Sequence, residues 1–206
     1  MRWADCVGRY KSYISLGSTC QVAYQLNRLG LRQSAGPLDW FVSESVPGVV
    51  NLLHRQFRGL MDFNNLELLD RTRECFVVRD KMYDIISFHD FPVHAARWWD
   101  SYPSFKEKLD RRIDRFWYTT QNKPILFIRT NTSEQEARLL KAALDKLLHG
   151  NFGLLIVNFD TSPIPRVLEE NWRLEGVCCV TIPPGYDWRG ANDAWNHIMS
   201  GFTLQV

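Results

Sequence analysis

In the stretch SYISLGSTCQVAYQLNRLG a β-like segment passes through a Gly-Ser turn into a helix, and Cys20 stands at the junction. A cysteine placed there is either a reactive thiol at a helix N-terminus or a small apolar residue filling a core. Unpaired N–H groups and the positive end of the helix dipole favour a thiolate, and the same groups can hold an oxyanion. Ser18 and Gln21 have capping-box spacing, which predicts Ser18 as N-cap, places Cys20 in the first turn, and makes both residues candidates for oxyanion support. Val22, Ala23, Leu26 and Leu29 form the apolar stripe of this helix. Cys20 lies off that stripe, toward Tyr24 and Asn27, which favours the reactive reading.

A nucleophilic cysteine needs a base, usually histidine, and a third group to orient it. His54 sits in a helical stretch, His149 follows a helix, and His197 lies near the carboxyl terminus. His89, in IISFHDF, follows a run of apolar and small residues in a predicted buried strand, where an imidazole must have a partner or do chemistry. His94 follows at a spacing that fits neither one helix face nor one strand face, so HDFPVH predicts no metal site. For the third residue, Asn131 after PILFIRT and Asp160, or Asn158, after GLLIV are placed at strand ends; Asp90 and Asp39 are alternatives. Turn and cap duties would explain each of these acids and amides equally well.

The elements that must position these groups show a clear rhythm. MYDIISFHDF, PILFIRT, GLLIVNFD and VCCVTIP read as buried strands, and helical stretches separate the first three. Ser104 with Glu107 and Ser133 with Glu136 match the capping-box spacing. SYISLG adds a strand, residues 20–29 and 46–57 add helices, and ECFVVRD reads as a further strand antiparallel to MYDIISF. The expectation is an α/β fold, a single three-layer domain over residues 1–206 with a mostly parallel sheet flanked by helices. On that reading Cys20, His89, Asn131 and Asp160 all lie just past strand carboxyl ends, where such sheets bind ligands.

The chain has 206 residues, 45% of them hydrophobic, enough for one sizeable core, and its 25 basic and 23 acidic residues are mixed along it. Charge therefore nominates neither nucleic acid nor an anionic membrane as partner. No apolar run reaches the length of a membrane span and the first residues lack a signal-peptide core, so a cytoplasmic protein is expected. Five cysteines with no CxxC pair argue against a disulfide framework and against a zinc knuckle.

SLGSTCQVAYQLNRLGLRQSAGPLDW, followed by FHDF and PILFIRT, resembles a family of uncharacterised bacterial proteins described as papain-like cysteine peptidases. The resemblance runs from about Tyr13 to at least Asn158, and it implies Cys20 as nucleophile, His89 as base and a papain-like α+β fold as the alternative architecture. Where such enzymes carry an oxyanion-hole glutamine ahead of the cysteine, this chain has Ile14. The expected function is thiol-dependent acyl chemistry on a peptide, amide or acyl-thioester substrate: a peptidase or related hydrolase, or an acyltransferase using the same pair, with no cofactor. Asp39, Trp40 and Arg129 are candidate substrate contacts. The competing class is a noncatalytic sugar- or nucleotide-binding domain, with Trp40, Trp98, Trp99, Trp188 and Trp195 as stacking surfaces and Arg129 clamping a phosphate or carboxylate. Substrate identity and oligomeric state are not written in the sequence.

Overall fold

A computed structural model describes residues 1–121, 124–162 and 166–205. Its central sheet has five strands in the order β2 (Ser12–Ser15), β7 (Ile125–Thr130), β8 (Phe152–Phe159), β10 (Val177–Ile182) and β9 (Leu168–Glu170). The first four run parallel, and only the edge strand β9 is antiparallel. These parallel strands are nearly continuous apolar runs because both faces of the sheet are covered. Ile125 and Phe127 face one apolar cluster, and their neighbours Leu126 and Ile128 face another. The first cluster takes side chains from α3 (Val46–His54), α4 (Tyr102–Thr120) and α5 (Glu134–Leu147); the second from α1 (Trp3–Cys6), α2 (Gln21–Arg28) and α6 (Asn192–Ile198). Helices on both faces of a mostly parallel sheet are the three-layer α/β arrangement expected from the strand-helix rhythm.

One strand of that rhythm belongs elsewhere. MYDIISFHDF forms β6 (Ile85–Pro92), which pairs antiparallel with β3 (Phe41–Val42) and β5 (Cys75–Asp80). With β4 (Leu66–Arg71) they make a separate four-stranded sheet in the order β3-β6-β5-β4. The antiparallel pairing of ECFVVRD with this strand is as expected; its membership of the parallel sheet is not. The physical reason lies in burial: Ile85, Ser87 and Phe91 are buried while Ile86 and Phe88 are only half-buried, the alternation of a partly solvated antiparallel sheet, and His89 breaks it where the register shifts. Phe41, Val78, Ile85 and Phe91 from this second sheet join the same apolar cluster as Ile125 and Phe127. A short parallel pair, β1 (Arg9–Tyr10) with β11 (Thr203–Leu204), ties the two ends of the chain.

The helix signals divide in the same way. Ser133 caps α5 as expected: its Oγ accepts from Glu136 N, and Glu136 Oε2 accepts from Ser133 N at 2.9 Å. Ser104 caps nothing, because α4 starts two residues earlier behind Ser101 with Pro103 in its first turn, and the Ser104 hydroxyl donates to Ser101 O. The expectation of unpaired cysteines is corrected as well. Cys6 of α1 and Cys178 of β10 form a disulfide with Cα atoms 6.6 Å apart, leaving Cys20, Cys75 and Cys179 free. The partners are 172 residues apart in sequence, so no spacing motif could have announced them. Among the described residues no helix is long and apolar enough to cross a membrane.

Candidate functional site

Cys20 stands where the parallel sheet ends and α2 begins. Strand β2 stops at Ser15, and Leu16 to Thr19 turn the chain at the carboxyl edge of the sheet. Gly17 makes the turn possible: its φ is +86°, and a Cβ there would lie 2.1 Å from Ser43 Oγ and 2.9 Å from Arg129 Nη1. The N-cap lies two residues later than the expected Ser18: Cys20 is itself the N-cap residue, with no side-chain cap bond. The Ser18–Gln21 capping box does not form. Ser18 is fully buried, with Oγ 3.0 Å from Thr130 Oγ1, and its carbonyl accepts from Ser43 N. Gln21 Nε2 donates to Trp188 O at 3.1 Å instead of reaching back along its helix. Both side chains brace the turn, and neither hydrogen bond is directed at the thiol.

The Cys20 thiol is only 8% exposed, and its pKa is pushed up to about 11. Burial is the main cause; the carboxylates of Asp39 and Asp90 add to it, and the residue's own backbone N–H works in the opposite direction. The helix-start effect expected from the sequence is therefore present but outweighed. Among the described residues Cys20 Sγ has no hydrogen bond to any histidine.

His89 does not share a sheet end with Cys20. It lies inside β6, exposed, where the pairing with β5 shifts register between Phe76 and Val78. The irregularity lets its neighbour Asp90 turn inward. That carboxylate is 5% exposed, accepts from Ser87 Oγ at 2.8 Å, and lies 3.4 Å from Lys108 Nζ. Asp90 is also one of the two carboxylates that act electrostatically on Cys20. Asn131 and Asp160 are at strand carboxyl ends as expected. Asn131 adopts a left-handed backbone (φ 51°) just past β7, and Asp160 Oδ1 accepts from Ser162 N in a hollow bordered by Pro183, Tyr186 and Asp193. Asn158 holds the segment after β7 by exchanging bonds with Thr132 N and O.

The substrate-contact candidates separate into one rim residue and two internal clamps. Arg129 is fully buried and donates to Leu16 O, Ser43 O (2.7 Å) and Glu44 O (3.1 Å), so it ties the turn before Cys20 to the loop at residues 43–44, with its nitrogens on backbone carbonyls. Desolvation lowers its pKa to about 10. Asp39 is buried and accepts from Arg32 Nε at 2.7 Å and from Gly36 N at 2.9 Å. Trp40 is half-buried at the rim and carries the Arg32 guanidinium 5.2 Å from its ring centre. Among the other tryptophans, Trp195 is a fully buried core residue of α6, whereas Trp188 is 57% exposed. Trp98 packs edge-on against Phe91, and Arg97 lies over the Trp99 ring.

Two features of the site escaped the sequence reading. The loop of residues 183–191 lies over the α2 face that carries Gln21, Tyr24 and Gln25. Gln25 Nε2 donates to Arg189 O (2.6 Å), and Tyr24 meets Trp188 edge-on at 5.4 Å. The other is Arg112 of α4, buried among Phe105, Leu109 and Phe116, whose charge on an otherwise apolar helix face was a readable signal. Among the described residues there is no group of three or more side chains suited to hold a metal ion.

The family model described as "Putative papain-like cysteine peptidase" matches residues 11–162, about three quarters of the sequence and the whole of the β2-turn-α2 junction. The chain belongs to this family. A viral relative, "Uncharacterized protein R408" of Acanthamoeba polyphaga mimivirus, is 33% identical over 135 residues, covering 57% of this chain and 60% of the relative. The chain thus spans less than two thirds of that relative's length. No solved structure matches it. The family match takes in Cys20, His89, Asp39, Arg129, Asn131 and Asp160, and stops before the 183–191 loop.

Proposed function

We propose that the protein is a cysteine-dependent peptidase in which Cys20 is the nucleophile and His89 the base. The observation that carries this reading is the position of Cys20, at a strand-turn-helix junction on the carboxyl edge of a parallel sheet, within the segment matched by a peptidase family. The imidazole of His89 takes the thiol proton and the sulfur attacks the carbonyl carbon of the scissile amide. First-turn N–H groups of α2 lack intrahelical acceptors and stabilise the oxyanion. Collapse of the tetrahedral adduct expels the amine, which takes the proton from the imidazolium, and water then hydrolyses the acyl-enzyme. No hydrogen bond joins His89 to the sulfur in this unliganded structure, and catalytic hydrogen bonds are often long until substrate binds.

The test is hydrolysis of a fluorogenic protein substrate by wild type, Cys20→Ser and His89→Gln, with mass mapping of the iodoacetamide adduct. Cys20→Ser should abolish turnover, and His89→Gln should lower kcat about a hundredfold or more. Turnover retained by Cys20→Ser would remove the thiol from the mechanism.

A second reading is favoured by one observation, the Cys20 pKa of about 11, which belongs to a protonated thiol at neutral pH. On that reading the domain binds a ligand without cleaving it. Its mark would be an inert Cys20 together with absence of turnover in the wild type.

A further inference from the structure

Helix α4 turns Phe105, Leu109, Arg112 and Phe116 toward the interior, so a guanidinium sits in the row of side chains that otherwise builds the core. Arg112 is 9% exposed, and its buried Nη1 has no hydrogen-bond partner. A buried guanidinium left without an acceptor is costly, and native structures rarely leave one without a reason. Arg112 lines a narrow cleft together with Arg32, Arg115, Gly36 and Asp39. The only carboxylate lining the cleft is Asp39, already engaged by Arg32 and Gly36; Asp90 also acts on Arg112 electrostatically, but neither carboxylate gives Arg112 a hydrogen bond. Neither Arg112 nor Arg115 makes an ion pair among the described residues.

We propose that this cleft is a carboxylate-binding site, in which a ligand carboxylate supplies the acceptor that Arg112 lacks. The Arg32–Asp39 pair and the Trp40 ring hold Arg32 in place, Arg112 forms the floor, and exposed Arg115 forms the rim. Size selects the anion: the cavity is about 20 Å³, room for little more than one water-sized group, which suits a flat carboxylate better than a tetrahedral phosphate. Guanidinium groups bind a carboxylate through two parallel bonds, which gives orientation as well as affinity. Asp39 borders the cleft and also acts electrostatically on Cys20, which links the cleft to the thiol. In the peptidase reading, on which this last step rests, the site takes the C-terminal or side-chain carboxylate of a peptide substrate; binding itself does not depend on that reading.

The experiment measures thermal unfolding of the intact chain with N-acetylglycine, its neutral counterpart N-acetylglycinamide, N-acetylglutamic acid α-amide and inorganic phosphate, at ionic strength matched with sodium chloride. One or both carboxylate probes should raise Tm by a few degrees at concentrations well above Kd, while the neutral amide and phosphate do not. Which carboxylate wins separates a terminal from a side-chain group. Arg112→Gln, which removes a buried guanidinium that no acceptor meets, should fold normally and lose the shift; Arg115→Gln, on the surface, should weaken the apparent affinity at least about threefold. An equal shift from the neutral amide, a larger one from phosphate, no carboxylate shift in wild type, or a full shift in both variants would overturn the proposal. Carboxylate binding beside an inert Cys20 would sustain the site and sink the peptidase reading; a reactive Cys20 without carboxylate binding would do the reverse.

Discussion

At the scale of residues, the chemistry of Cys20 is decided by competition between its backbone and its neighbours. Its own N–H favours the thiolate, while burial and the charges of Asp39 and Asp90 favour the thiol, and the second group prevails. The sign gives a direct prediction. With a pKa near 11, alkylation by iodoacetamide should be slow at pH 7 and rise about tenfold per pH unit up to that pKa, because only the thiolate reacts. Asp90→Asn removes a negative charge that disfavours the thiolate, so it should lower the Cys20 pKa and speed labelling at pH 8. A labelling rate in Asp90→Asn equal to or below wild type would show that Asp90 does not act on the thiol. The candidacy of Cys20 was legible in the sequence. Its elevated pKa was not, since Asp39 and Asp90 come near it only through folding.

At the scale of elements, the β2-turn-α2 junction depends on one glycine and one arginine. Gly17 provides a left-handed backbone in space too tight for a Cβ, and Arg129 locks Leu16 O to Ser43 O and Glu44 O. Gly17→Ala should destabilise the protein by about 2 kcal/mol or more, through both the positive φ and the clash. Urea unfolding measures this, and a loss under about 0.5 kcal/mol would mean that the turn relaxes freely. The strand-turn-helix pattern was readable because β periodicity, Gly-Ser and helical periodicity follow one another locally. The role of Arg129 as an internal bracket was not readable, because its three acceptors are carbonyls that carry no side-chain signature. The same holds for Ser18 and Gln21: their spacing fits a capping box, but the closer partners supplied by Thr130 and by the 183–191 loop take their hydrogen bonds.

At the scale of the whole molecule, the parallel sheet, the antiparallel sheet and the terminal elements are joined by contacts distant in sequence. The Cys6–Cys178 bridge closes nearly the whole chain. Without reductant, the denatured protein should show three titratable thiols, and five after reduction; five in both states would mean that the bridge does not form. Cys178→Ser should lower stability by about 2–4 kcal/mol under oxidising conditions, because the bridge restricts the unfolded chain. The sequence by itself determined the strand-helix rhythm, the capped start of α5 and the thiol at a helix start, because each is a pattern of neighbours governed by backbone periodicity and local hydrogen bonds. Only the tertiary structure decided that His89 belongs to a second sheet, that Cys6 meets Cys178, and that Arg112 is buried beside Arg32 and Asp39 with a nitrogen that no acceptor meets. Those facts depend on which faces meet, and residues far apart in the chain carry no local mark of the partner that packing will bring to them.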